Sequence, residues 1–99
     1  MTEPVALIGD VGGTNARFAL VDPGGAPYRE ERVLATREHA GPAQALSAYL
    51  GAVGARAPPL ACIAAAGPVV NGCVRLTNLA WTLSEIDLAR AFGFRTVRL

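Results

Sequence analysis

The chain has 99 residues, enough for one domain or part of one. Nine basic and eight acidic residues leave a formal charge of +1, which provides no basic field for nucleic acid and no acidic tail. No apolar run approaches the roughly 18 residues of a membrane helix, and the N-terminus lacks a basic stretch followed by an apolar one and a cleavage site, so a cytoplasmic location is expected.

Val5-Ala6-Leu7-Ile8 is a continuous apolar run of the kind found in central strands. It leads directly into Gly9-Asp10-Val11-Gly12-Gly13-Thr14, after which Ala16 to Val21 reads as a second strand with Phe18 and Leu20 on one face. The glycine-rich segment is therefore expected to join two adjacent antiparallel strands. Asp22 to Pro27 is dense in turn formers and precedes a third strand, Tyr28 to Ala35, whose charges mark an edge or a solvated face.

From Pro42 to Val53 the residues Leu46, Tyr49, Leu50 and Val53 fall at i, i+3, i+4 and i+7, one stripe of an amphipathic helix with Pro42 in its first turn and Gly54 at its exit. Pro58-Pro59 breaks the chain before Leu60 to Ala66, whose small apolar residues fit a strand buried on both faces, with Cys62 as a small core residue. A short strand near Cys73 to Leu76 follows. Ser84 then offers an N-cap, Asp87 sits in the first turn, Ile86, Ala89 and Phe92 are expected to face inward, and Gly93 is a C-cap. Arg95 to Leu99 resumes an extended pattern. The order strand, strand, strand, helix, strand, helix, strand reads as α/β with a mixed sheet and flanking helices. Two cysteines, Cys62 and Cys73, are too few for a disulfide framework and read as reduced thiols.

The chemistry concentrates at Gly9 to Thr14. Glycines leave backbone N–H groups bare, with no Cβ to keep a phosphate at a distance, and Thr14 adds a hydroxyl. Asp10 would repel a phosphate unless a cation such as Mg²⁺ lies between them. All nine cations are arginine, so a Walker-type loop, a protein-kinase strand lysine and a Schiff-base lysine are excluded within these residues. The spacing G-x-x-G-G-T followed by a strand is not the dinucleotide fingerprint G-x-G-x-x-G followed by a helix. The competing structural reading is a tight hairpin whose glycines supply positive φ, with Asp10 as a turn former.

The order of elements and four separated segments carry a family resemblance: Asp10-Val11-Gly12-Gly13-Thr14-Asn15-Ala16-Arg17; Ala65-Ala66-Gly67-Pro68-Val69 with Gly72 and Val74; Leu76-Thr77-Asn78-Leu79-Ala80-Trp81; and Ser84 to Leu88 leading to Phe92-Gly93-Phe94. The first resembles the phosphate loop of the sugar kinase, heat-shock ATPase and actin superfamily, and together they resemble bacterial ATP-dependent glucokinases over nearly the whole chain. The resemblance implies an actin-like (ribonuclease H-like) ATPase fold, incomplete here. It also implies transfer of the ATP γ-phosphoryl group to the 6-hydroxyl of glucose with Mg²⁺ as companion ion. The whole protein would be a cytoplasmic homodimer with neither nucleic acid nor membrane as partner.

By the same resemblance Gly9, Asp10, Val11, Gly12, Gly13 and Thr14 form the cofactor site, with Asp10 acting on the metal through water, and Asn78 lies near the sugar. Asn78 reads equally as a loop-capping amide, Arg17 as a solvated strand residue, Trp81 as a core anchor and His39 as a surface residue. The family's general base, an aspartate just after the strand that follows the Phe-Gly helix, falls beyond Leu99. None of the eight acids takes its place, Glu85 and Asp87 included. Residues 1–99 are accordingly expected to be the smaller-domain portion of such a kinase and inactive alone. A kinase for another hexose or N-acyl-hexosamine, a non-catalytic sugar-sensing relative and a plain nucleotide-binding module remain open alternatives.

Overall fold

A computed structural model describes residues 3–24, 27–77 and 79–99. Seven strands and two α-helices follow the chain as β1 (Ala6–Val11), β2 (Asn15–Val21), β3 (Arg29–Ala35), a 3-10 turn (Thr36–Glu38), α1 (Pro42–Val53), β4 (Leu60–Ala65), β5 (Cys73–Arg75), β6 (Thr82–Ser84), α2 (Glu85–Phe92) and β7 (Thr96–Arg98). Five strands form one mixed sheet in the order β3-β2-β1-β4-β7, and β5 and β6 make a separate antiparallel hairpin. β1 and β2 are antiparallel neighbours, β1 and β4 are parallel, and β4 and β7 are parallel. The charged strand β3 lies at an edge, as its composition implies.

β3, β4 and β7 point the same way, and the two crossovers, β3 to β4 and β4 to β7, step across the sheet in the same direction. Right-handed crossovers taken in one direction put their helices on one face. The core forms there, from Leu7, Val11, Phe18, Leu20, Ala61 and Ile63 of the sheet, Leu46, Tyr49 and Leu50 of α1, Val74 and Leu83 of the hairpin, and Leu88 of α2. The other face is open. Leu60, Cys62 and Ala64 are therefore exposed, and β4 alternates instead of being buried on both sides. Run composition does not report the direction of the crossovers, so the expectation of a buried Cys62 fails for a topological reason.

The helix ends follow their sequence signals. Pro42 occupies the start of α1, and Gly54 ends it in the left-handed region at φ 67°. Ser84 caps α2 by accepting the amide of Asp87 at 3.2 Å, and Gly93 closes it at φ 76°. The inward stripe of α2 is met in part: Ala89 and Phe92 pack against the core and Leu88 is buried, but Ile86 is 63% exposed. The amide of Glu85 donates to the carbonyl of Gly72 at 2.9 Å, which turns the first residue of α2 toward the hairpin. With about 100° between successive residues, Ile86 then faces solvent. Trp81 is buried as a core anchor. His39 is half-buried, and its amide donates to Thr36 at the end of the 3-10 turn.

Phe18 and Tyr49 tie the sheet to α1, with ring centroids 5.4 Å apart and planes tilted by 45°. Such pairs contribute on the order of 1 kcal/mol beyond their burial. The Tyr49 hydroxyl donates at 2.8 Å to the carbonyl of Glu30, a non-glycine residue at φ 59° beside the register shift between β2 and β3. This left-handed backbone is a β-bulge pinned by a buried phenol. Within the turn expected at Asp22 to Pro27, Gly24 has φ 98°, while Gly25 and Ala26 lie outside the described residues. Among the described residues, no helix is long and apolar enough to cross a membrane.

Candidate phosphate-binding site

β1 runs farther than its apolar stretch. Gly9, Asp10 and Val11 are strand residues, paired with Phe18, Arg17 and Ala16 of β2 on one side and with Ile63, Ala64 and Ala65 of β4 on the other. The turn itself is Gly12 to Asn15, closed by a 2.9 Å bond from the Gly12 amide to the Asn15 carbonyl. This separates the residues of the motif by role. Val11 is buried, and its carbonyl accepts the amide of Ala66 at 3.1 Å. Gly9 is glycine because Phe18 packs over it: a Cβ there would stand 2.8 Å from the Phe18 ring.

Gly12 and Gly13 are not among the left-handed glycines of the chain. The hairpin reading, in which they serve to supply positive φ, therefore has no conformational support. A Cβ on Gly12 would meet only the Asn15 carbonyl oxygen at 3.7 Å, an ordinary contact. The bare surface there is not demanded by packing.

What orients the turn is Thr36, a fully buried residue in the 3-10 turn after β3. Its hydroxyl donates to the carbonyl of Gly13 at 2.9 Å, and its amide donates to the carbonyl of Thr14, also at 2.9 Å. In a planar trans peptide the N–H points opposite to the C=O. Drawing the Gly13 carbonyl toward Thr36 therefore turns the Thr14 amide away from it. Among the described residues, the amides of Gly13 and Thr14 have no backbone acceptor. Beside them lies an open hollow of about 370 Å³ lined by Asp10, the turn residues and Arg17. Of the six positions singled out from sequence, Gly13 and Thr14 present unspent donors, Gly12 presents an open surface with its amide already used, and Gly9 and Val11 lie in the strand beneath.

Asp10 is exposed on the open face, next to Arg17 in the ladder. Arg17 turns instead to Glu31, at 3.7 Å across β2 and β3, with both side chains largely in water. Such a pair contributes under about 1 kcal/mol, yet it diverts the nearest cation. Among the described residues Asp10 has no ion-pair partner. Asn78 lies outside the described residues. Nearby, the Leu76 amide donates to the Trp81 carbonyl at 3.0 Å.

β1, β4 and β7 end at the same edge of the sheet, and the carboxyl ends of parallel strands are where α/β sheets receive ligands. The mixed sheet, the helices on one face and the strand-turn-strand at this edge define an α/β domain of the actin-like ATPase kind. The comparisons narrow this. The glucokinase family model matches residues 7–99, and the chain belongs to the glucokinase family. It is 50% identical over 94 residues to a glucokinase of Chromohalobacter salexigens and 50% identical over 97 residues to one of Caulobacter sp. K31. These alignments cover 95% and 96% of this chain but 29% and 30% of the two relatives. The crystal structure of a glucokinase from an Antarctic psychrotroph superposes with a TM-score of 0.86 at 34% identity, over 99% of this chain and 32% of that one. The chain thus spans about three-tenths of the length of the relatives it matches.

Proposed function

We propose that the whole protein phosphorylates glucose at its 6-hydroxyl with ATP as donor, and that residues 1–99 supply the half-site for the transferred phosphates. The observation that supports this most directly is the turn at Gly12 to Asn15, whose Gly13 and Thr14 amides have, among the described residues, no backbone acceptor and lie beside a carboxylate with no ion-pair partner. Phosphoryl transfer depends on positioning and charge neutralisation more than on covalent chemistry by the protein. In this reading the Gly13 and Thr14 amides and the Thr14 hydroxyl hold phosphate oxygens, and the missing side chain at Gly12 lets the ligand approach the backbone.

The donor set suits Mg²⁺, which favours one or two carboxylates together with water and phosphate oxygens. Asp10 is such a carboxylate, exposed and without a competing cation. The ion would neutralise phosphate charge; Asp10 would orient it through water. The group that takes the proton from the sugar hydroxyl lies, in this reading, outside residues 1–99, and Asn78 contributes to sugar hydroxyls. The enzyme is proposed to act in the cytoplasm as a homodimer.

A coupled assay of the whole protein against a panel of sugars tests the reading. Glucose 6-phosphate formation that needs ATP and Mg²⁺ and prefers glucose is expected. Preference for an N-acyl-hexosamine, or nucleotide binding with no turnover on any hexose, overturns it. Residues 1–99 alone are expected to show no turnover.

A further inference from the structure

We propose that Glu85 is a positioning residue for the phosphate-transfer site, because its carboxylate fixes the direction in which the chain leaves β7 beside Asp10. Two independent contacts aim that carboxylate. Its Oε2 accepts the Leu99 amide at 3.0 Å, and its own amide donates to the Gly72 carbonyl at 2.9 Å. Gly72 is at φ 72°, and a Cβ there would stand 2.8 Å from Glu85 Oε1. Gly72 follows Asn71 at φ 52°, so this left-handed turn calls for glycine on its own account, and it also leaves room for the carboxylate. A glutamate present only to favour the helix dipole at the start of α2 needs no bond to a residue 14 positions away.

The register shows what this contact controls. Ile8 pairs with Cys62, and Cys62 pairs with Arg98, so these three are level across β1, β4 and β7. Parallel strands keep step, which sets Leu99 level with Gly9. The exit of β7 is thus one residue short of the level of Asp10 and two short of that of Val11, at the mouth of the Gly12 turn. Among the described residues β7 is a short edge strand paired only with β4. Val97 and Leu99 pack their side chains against the core, and Glu85 adds a hydrogen bond to the backbone at its exit. The proposal rests on the kinase reading for its catalytic consequence, while the tether itself can be measured without it.

The test compares Glu85→Ala with Glu85→Gln, which keeps a carbonyl acceptor. In the whole protein Glu85→Ala is expected to lower kcat for glucose phosphorylation by about tenfold or more, with KM for ATP within about twofold, and Glu85→Gln to restore kcat to within about threefold. In the whole protein the Leu99 amide is also expected to exchange with solvent about tenfold faster in Glu85→Ala, while Gly9 exchange is unchanged. If Glu85→Ala does not fold, Glu85→Asp keeps the charge, stops one methylene short of the Leu99 amide and is expected to give the same loss of kcat. An unchanged kcat overturns the proposal even if Leu99 exchanges faster. Equal impairment by Gln and Ala with a matching rise in KM also overturns it. A whole protein without glucose kinase activity overturns the functional reading instead, and the tether then stands or falls on Leu99 exchange.

Discussion

The hydroxyl of Thr36 donates to the carbonyl of Gly13, 23 residues earlier in the chain, at 2.9 Å. This bond and its companion to Thr14 decide which way the peptide planes of the turn face. Without them the two carbonyls could turn toward the hollow proposed to take phosphate, where they would repel an anion. Thr36→Val keeps the volume but removes the donor. It is expected to cost about 1–2 kcal/mol in urea unfolding, because the Gly13 carbonyl loses its buried partner, whereas Thr36→Ser stays near wild type. Isothermal titration with ATP and Mg²⁺ should show weaker binding in the valine variant only.

The two glycines beside Asp10 should respond in opposite ways. Gly9→Ala drives a methyl group against the Phe18 ring and is expected to destabilise the protein by about 1–3 kcal/mol. Gly12→Ala meets only an ordinary contact, so its stability should stay within about 0.5 kcal/mol of wild type while its ATP affinity falls. Thermal unfolding and nucleotide titration of both variants separate packing from access. A Gly12→Ala protein with undiminished ATP affinity would remove the basis for reading the turn as a phosphate site.

Asp10→Asn preserves shape and removes charge at an exposed position, so the melting temperature should change little. The dependence of ATP affinity on Mg²⁺ is expected to shrink by about tenfold, equivalent to about 1.4 kcal/mol. Titrating ATP with and without Mg²⁺ gives the number. His39→Ala, whose side chain does not line the hollow, serves as the control.

Tyr49 should make the protein sensitive to alkali. Burial, with Glu30 nearby, pushes its phenol from 10.0 up to about 12. The neutral phenol is therefore favoured by folding. Its contribution is complete below pH 10 and is lost as pH rises through 12, an effect on the order of 2 kcal/mol. Urea unfolding at pH 8 to 12 should show this decline in wild type, and Tyr49→Phe should be flatter over the same window though less stable at pH 8.

Much of this molecule is set by local chemistry. Alternation along β2, the stripe from Leu46 to Val53, Ser84 before α2 and the glycines at 54 and 93 act through neighbours within a few residues, so the sequence alone determined most of the elements and the position of the glycine-rich turn. Identity at position 9 was also legible, but its cause was not: Gly9 reads as a phosphate glycine and is a packing glycine, because Phe18 arrives from the next strand. The tertiary structure alone decided that both helices share one face and leave Cys62 exposed, since this depends on the direction of two crossovers. It also decided which way the peptides of the turn face, since Thr36 reaches the Gly13 and Thr14 carbonyls from beyond β3, and it joined Glu85 to Gly72 and Leu99. Contacts between distant segments have no local signature; they exist only once the sheet has set its order and register.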